Sequence, residues 1–262
     1  MINILFPTIL IHGIGGDTKD LDIFKNALET NGATVYNIEI GNGKIDSIFM
    51  NMNKQCSILS ENIDKLSIEG KINLIGVSQG GLLARCYVER YSDKINLVHS
   101  LITYGTPHMG IYIEWPKLRN LEYWKNPYKY SEYLDFNDFL VYLNNEKNHT
   151  EFNLYRQNMI NLDNFALIWS DVDKVVVPLQ SAKFEFYNIS EGDLNKPMPL
   201  DIVLSDSYIE DKLGLKTLDK TNRLLIEDFN CQHEEFKKPS CFLNNSYGAQ
   251  GVSLLDFTLK LL

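Results

Sequence analysis

A serine flanked by glycines, Gly76-Val77-Ser78-Gln79-Gly80, is the first place in the chain where residue types and spacing could do chemistry. A hydroxyl becomes a nucleophile only when a base takes its proton, and G-x-S-x-G exposes that hydroxyl on a tight strand-to-helix turn. Glycine on either side is required because the backbone folds back too closely to admit a Cβ. The surroundings agree: the apolar run Ile72–Val77 precedes the serine, and Gly80 to Val88 continues as a helix. The motif is expected to present Ser78 as a nucleophile, with Gly76 and Gly80 forming the elbow.

Such a serine needs partners later in the chain, in the order Ser, then Asp or Glu, then His. Of the five histidines, His12 and His108 sit too early, His99 lies within an expected strand and His149 within a sequon. Only His233 follows a late apolar strand, Arg223 to Ile226, and it is the expected base. For the acid, Asp171 and Asp173 both follow the strand Phe165–Trp169. Asp173 precedes an apolar stretch, Val175 to Pro178, that could bury a carboxylate; Asp171 is equally placed to cap the turn. The residues alone leave both open.

A tetrahedral intermediate also needs main-chain N–H donors, each worth about 2.7–4 kcal/mol in related hydrolases. Gln79 supplies one. Ile14, in the glycine loop His12-Gly13-Ile14-Gly15, is the best-placed second.

The elements that must hold these groups alternate. Thr8 to His12, Ala33 to Ile40, Ile72 to Val77, Leu97 to Tyr104 and Phe165 to Trp169 read as buried strands. From Asp46 as N-cap, apolar residues at Ile48, Met52, Cys56, Leu59, Ile63 and Leu66 fall on one helical face. Strands alternating with helices imply an open α/β fold with a mostly parallel central sheet covered on both faces. Between Ile111 and Ile160 the chain carries 12 of its 30 aromatic residues. That segment, 111–160, is expected to be a helical cap inserted within a single domain, 1–262, and equally an aromatic helical pair packed on the core.

Composition bounds the function. The chain has 262 residues, 34 acidic against 25 basic side chains, a net charge of −9, and 44% hydrophobic residues. That field repels nucleic acid and anionic lipid surfaces alike. No apolar run approaches the roughly 18 residues of a membrane-spanning helix, and the longest, Ile4 to Ile11, is broken by Pro7 and Thr8. The start lacks the layout of a secretory leader, so the protein is expected either to be intracellular or to have its leader absent from this numbering. Four cysteines, Cys56, Cys86, Cys231 and Cys241, have no zinc-site spacing, and no cofactor or metal is expected. N-glycosylation sequons occur at Asn148, Asn188 and Asn244.

Taken together, His12-Gly-Ile-Gly15, Gly76-Val-Ser-Gln-Gly80, Glu122-Tyr-Trp124 with Asn126-Pro127, Asp211-Lys-Leu-Gly-Leu-Lys216 and the late His233 resemble the palmitoyl-protein thioesterases, the lysosomal branch of the α/β-hydrolases. The blocks run in the family's order from about residue 7 onward. The family's Gly-Phe-Ser-Gln-Gly becomes Gly-Val-Ser-Gln-Gly here, which keeps the turn and reshapes the wall beneath it. The resemblance implies Ser78 as nucleophile, Asp173 rather than Asp171 as acid, His233 as base, and Ile14 and Gln79 as oxyanion donors. It implies a Cys56–Cys86 disulfide, with Cys231–Cys241 a second bridge beside the base. It further implies removal of palmitate and similar chains from S-acylated proteins or peptides through an acyl-enzyme, an acyl groove roofed by 111–160, a monomer, and a lysosomal or secretory location. A lipase or carboxylesterase acting on oxygen esters would use the same triad. A non-catalytic lipid-binding module on a hydrolase frame is the reading without chemistry.

Overall fold

The computed structural model describes residues 5–92, 97–113, 121–188, 199–246, 248 and 251–262. Six strands form the central sheet: β1 (Thr8–Ile11), β2 (Val35–Ile38), β3 (Ile72–Val77), β4 (Val98–Tyr104), β5 (Asn164–Trp169) and β8 (Leu224–Asp228). They lie in the order β2-β1-β3-β4-β5-β8, and every pairing is parallel. A two-stranded antiparallel ribbon, β6 (Phe186–Tyr187) with β7 (Pro199–Leu200), stands apart from it.

The crossovers supply the helices, because a parallel neighbour is reached only by returning along a face of the sheet. Helix α1 (Asp22–Thr30) links β1 to β2; α2 (Lys44–Phe49) and α3 (Met52–Lys65) link β2 to β3; α4 (Gln79–Tyr91) links β3 to β4. Between β4 and β5 lie α5 (Tyr130–Phe136), α6 (Leu140–Leu143) and α7 (Phe152–Ile160). Short helices α8 (Asp206–Ile209) and α9 (Leu215–Lys220) precede β8, and α10 (Pro239–Phe242) and α11 (Leu254–Leu259) follow it.

The period of two in the strands divides the core in two. Ile9, Ile11, Leu74 and Leu101 face the layer made by α3, α4 and the 121–160 helices. Leu10, Ile75, Ile102 and Tyr104 face α1, α10 and α11. The two layers are the expected covering of both faces.

The helix expected from Asp46 is broken. Helix α2 ends at Phe49, the backbone of Met50 after it is extended, and Asn51 restarts the chain as α3 by accepting hydrogen bonds from the N–H groups of Asn53 and Lys54. Met52, Cys56, Leu59 and Ile63 occupy the buried face of α3 as expected, whereas Ile48 on α2 points outward, 44% exposed. Both cysteine pairs are disulfides: Cys56–Cys86 ties α3 to α4, and Cys231–Cys241 closes the loop that carries His233.

The aromatic segment proves to pack around a buried charge. The Lys125 side chain is buried, pairs with Glu146, and has its ammonium 5.2, 5.0 and 4.9 Å from the ring centres of Tyr130, Tyr133 and Phe186. Rings present a negative face to the cation, which accounts for part of the local aromatic content. Asn148 and Asn188 are exposed and Asn244 is half-buried. Ser190, the third residue of the second sequon, lies outside the described residues, as do residues 114–120 of the expected cap.

Helix α4 is buried along nearly its whole length, and within it Arg85 Nε lies 3.2 Å from Glu89 Oε1 with both side chains fully enclosed. Burial pushes the Glu89 carboxyl from an ordinary 4.5 up to about 8, against the pull of Arg85 and Arg90. The folded protein therefore holds a proton that the unfolded chain releases above pH 4.5. This contribution is complete below pH 4.5 and is lost as the pH rises through about 8. Denaturant unfolding at pH 5 and pH 8 is expected to show the wild type losing stability relative to Glu89→Gln as the pH rises, whatever the absolute stability of either. Thiol titration of the unfolded, unreduced chain is expected to find no free thiol.

Candidate active site

Strand β3 runs straight into α4, and Ser78 makes the turn with φ 56° and ψ −125°. A non-glycine residue held at positive φ costs of order 1–3 kcal/mol and persists only where its surroundings enforce it. Here they do. The Ser78 N–H donates to Tyr104 O at 2.8 Å, and Ser78 O accepts from Gly81 N at 3.0 Å. A Cβ on Gly76 would stand 2.4 Å from the Gly81 backbone, and one on Gly80 would stand 2.3 Å from Ile11 O. Both glycines are thus required by backbone contact, as the motif implied.

The loop after β1 closes over the serine. Gly13 lies so near that a Cβ there would be 3.1 Å from the Ser78 Cβ. His12 anchors this loop: its Nε2 accepts the Ile40 N–H at 3.1 Å, which leaves Nδ1–H to donate to Gly13 O at 3.0 Å. Among the described residues, no hydrogen bond takes up the main-chain N–H of Ile14 or of Gln79. The Gln79 N–H stands at the N-terminus of a 13-residue helix, where the aligned peptide dipoles favour negative charge.

Asp173 and His233 arrive from the ends of β5 and β8. His233 Nδ1 donates to Asp173 Oδ2 at 2.7 Å, and both side chains are almost fully buried. The other oxygen, Asp173 Oδ1, accepts the Val175 and Val176 N–H groups at 2.8 and 3.1 Å, so the carboxylate is fixed in orientation. Asp171 is exposed and does not reach the histidine. Ser78 and His233 line one cavity of about 60 Å³ together with Gly13, Ile14 and Val175. Among the described residues no hydrogen bond joins Ser78 Oγ to His233; such contacts commonly tighten only when substrate is bound.

The remaining histidines have other partners. His99 bonds Asp163, and His149 bonds Asn145. His108 is buried, stacks on Phe184 and lies beside Arg85; burial first, then that guanidinium, holds its pKa well below the usual range. Among the described residues no cluster of three or more His, Cys, Asp or Glu side chains is placed to hold a metal ion.

Three residues were given no part in the site by the sequence reading, although Tyr123 lies in the Glu122-Tyr-Trp124 block. Gly105, at φ 53° just after β4, packs beneath the histidine, where a Cβ would come within 3.0 Å of His233 Nδ1. Gln55 lies on the buried face of α3, three positions from Met52, and its Oε1 accepts from Gln79 Nε2 at 3.0 Å. Tyr123 donates its hydroxyl to Gln79 Oε1 at 3.1 Å, while Gln79 Nε2 also reaches Ser47 O at 2.7 Å. The Gln79 side chain is therefore clamped from three elements. A polar residue inside an apolar helical stripe was the one available signal, at Gln55.

A family model described as palmitoyl protein thioesterase matches residues 7–121 and 114–233. The chain belongs to the palmitoyl protein thioesterase family. It is thereby an enzyme of the thioesterase class on the α/β-hydrolase fold. Palmitoyl-protein thioesterase 3 of Dictyostelium discoideum is 33% identical over 89% of this chain and 88% of its own length. The lysosomal thioesterase PPT2 homolog of Drosophila melanogaster is 25% identical over 84% and 82%. Among solved structures, an extracellular α/β-hydrolase from a Paenibacillus species matches 98% of this chain and 97% of its own at 11% identity, with a TM-score of 0.51. Bromoperoxidase from Bacillus anthracis matches 88% and 86% at 13% identity, with a TM-score of 0.50. Those two show the fold alone.

In this family member the clamp on Gln79 has a measurable consequence. Tyr123→Phe removes one hydrogen bond worth about 1 kcal/mol, so kcat is expected to fall by up to about fivefold with KM little changed. Gly105→Ala is expected to lower kcat further by displacing the His233 ring, with unchanged far-UV circular dichroism showing that the fold survives.

Proposed function

We propose that the protein hydrolyses the thioester linking a long-chain fatty acyl group, palmitate above all, to cysteine in acylated proteins or peptides. Ser78 Oγ attacks the thioester carbonyl, and His233 Nε2 takes the hydroxyl proton and passes it to the departing cysteine sulfur. Water, deprotonated by the same histidine, then releases the fatty acid and restores the serine. Asp173 holds the histidine tautomer that places Nδ1–H toward itself and leaves Nε2 free, and it stabilises the imidazolium. The N–H groups of Ile14 and Gln79 receive the oxyanion.

The observation that carries this reading is the buried Asp173–His233 hydrogen bond of 2.7 Å, opening on the same cavity as the strained Ser78. A cavity of about 60 Å³ lies well below the roughly 300–1,000 Å³ of ordinary ligand sites. It admits the reacting carbonyl, and the chain must extend beyond it. A larger space of about 500 Å³ lies between the inserted segment and the 184–212 stretch, with Met109, Tyr130, Phe184, Phe186, Leu200 and Leu204 in its wall beside the charged Lys125, Glu146, Asp206 and Lys212. We assign the acyl chain to that space. The inserted segment 111–160 then acts as the cap, in one domain with the sheet. Relatives named lysosomal thioesterases, together with the two disulfides, support a lysosomal or secretory location.

A fluorophosphonate probe is expected to label the protein at Ser78 and to leave Ser78→Ala unlabelled. Asp173→Asn is expected to retain its fold while kcat falls about 10⁴-fold, as loss of the orienting carboxylate does in other triads. Matched palmitoyl thioester and oxygen-ester substrates are expected to give the higher kcat/KM for the thioester; a large oxygen-ester preference would make the protein an esterase instead.

A further inference from the structure

Helix α2 presents an apolar face to solvent beside the active site. Ile45, Ile48 and Phe49 are 61%, 44% and 81% exposed, and their spacing of three and four residues places them on one side of the helix. Ser47, on the opposite side, is buried, and its Oγ accepts the Gly15 N–H at 2.9 Å, so α2 is fastened to the glycine loop that covers Ser78. The Ile48 methyl reaches to 3.9 Å from the position of a Gly15 Cβ. On the cavity itself Val175 is also half exposed. An exposed apolar patch continuous with the loop of an active site marks a contact surface.

We propose that this face of α2 docks the enzyme on the surface of a zwitterionic lipid bilayer, from which the acyl chain of the substrate is taken. This inference rests on the acyl-thioesterase reading above, because that substrate carries a chain whose resting place in water is a membrane. Size argues against a protein partner: the three side chains expose on the order of 350 Å², against the ~800 Å² per partner of a stable protein contact. A helix lying flat with its apolar residues outward suits shallow insertion between headgroups. Charge selects the type of bilayer. The net charge of −9 repels an anionic leaflet, and on α2 itself Lys44 is already paired with Asp17 at 3.5 Å. Attachment is therefore apolar, insensitive to added salt, and weakened by anionic lipid.

Co-sedimentation of the full chain with phosphatidylcholine vesicles tests this, with vesicles one-third phosphatidylserine as the second arm. The wild type is expected to partition onto phosphatidylcholine, and less onto the mixed vesicles. The double variant Ile45→Ser/Phe49→Ser is expected to lose at least tenfold in partitioning while hydrolysing a soluble short-chain acyl thioester with wild-type kcat/KM. Equal sedimentation of variant and wild type overturns the proposal, as does no binding to phosphatidylcholine, binding only to the anionic vesicles, or lipid-free self-association abolished by the same variant. Sedimentation requires no turnover, so failure to cleave the soluble thioester counts against the catalytic reading and leaves the docking result to be judged separately.

Discussion

One residue converts a buried strand into a helix, and the rest of the site is arranged around that turn. Ser78 at positive φ is held between a main-chain bond to the neighbouring strand and a glycine on each side whose missing Cβ lets the backbones of β1 and α4 approach. Because β3 lies in the middle of the sheet and is buried at every position, the strain is opposed by packing on both faces. The turn therefore cannot relax without opening the core. Its product is a hydroxyl standing at the N-terminal end of a helix, beside N–H groups that have no partner among the described residues.

The second constraint is that the other groups reach the same edge. In a parallel sheet all strands end on one side, so loops after β1, β3, β5 and β8 converge although they are far apart in sequence. The glycine loop, the serine turn, Asp173 and His233 are those four loops. Each is tied down separately: His12 by Ile40, Asp173 by two N–H groups, and the His233 loop by a disulfide that brackets it. Gln79 is held through its side chain by α2, α3 and the inserted segment, which couples the position of its N–H to elements outside the sheet.

What was legible in the sequence follows from how local each feature is. The Ser78 turn is written in five consecutive residues, and the strands in short apolar runs, so both were readable. His233 was singled out by order along the chain, and the structure sets its ring against Asp173. Asp171 and Asp173 were not separable from the residues, because the difference lies in which carboxylate is buried against a histidine 60 positions later. The break between α2 and α3 was missed because the apolar spacing runs through it, and only the capping of α3 by Asn51 reveals it. The clamp from Tyr123, and the ion pair of Lys125 with Glu146 among aromatic rings, depend on packing between elements and leave no periodic trace, while Gln55 shows only as a polar break in its stripe.

The central claim is that a covalent acyl group passes through Ser78. Intact-mass spectrometry of enzyme quenched during turnover of a palmitoyl thioester, followed by peptide mapping, addresses it directly. The account predicts one added palmitoyl group, located on the peptide containing Ser78 and removed by continued incubation. Turnover that persists in Ser78→Ala, or an acyl group mapped to another residue, would contradict it.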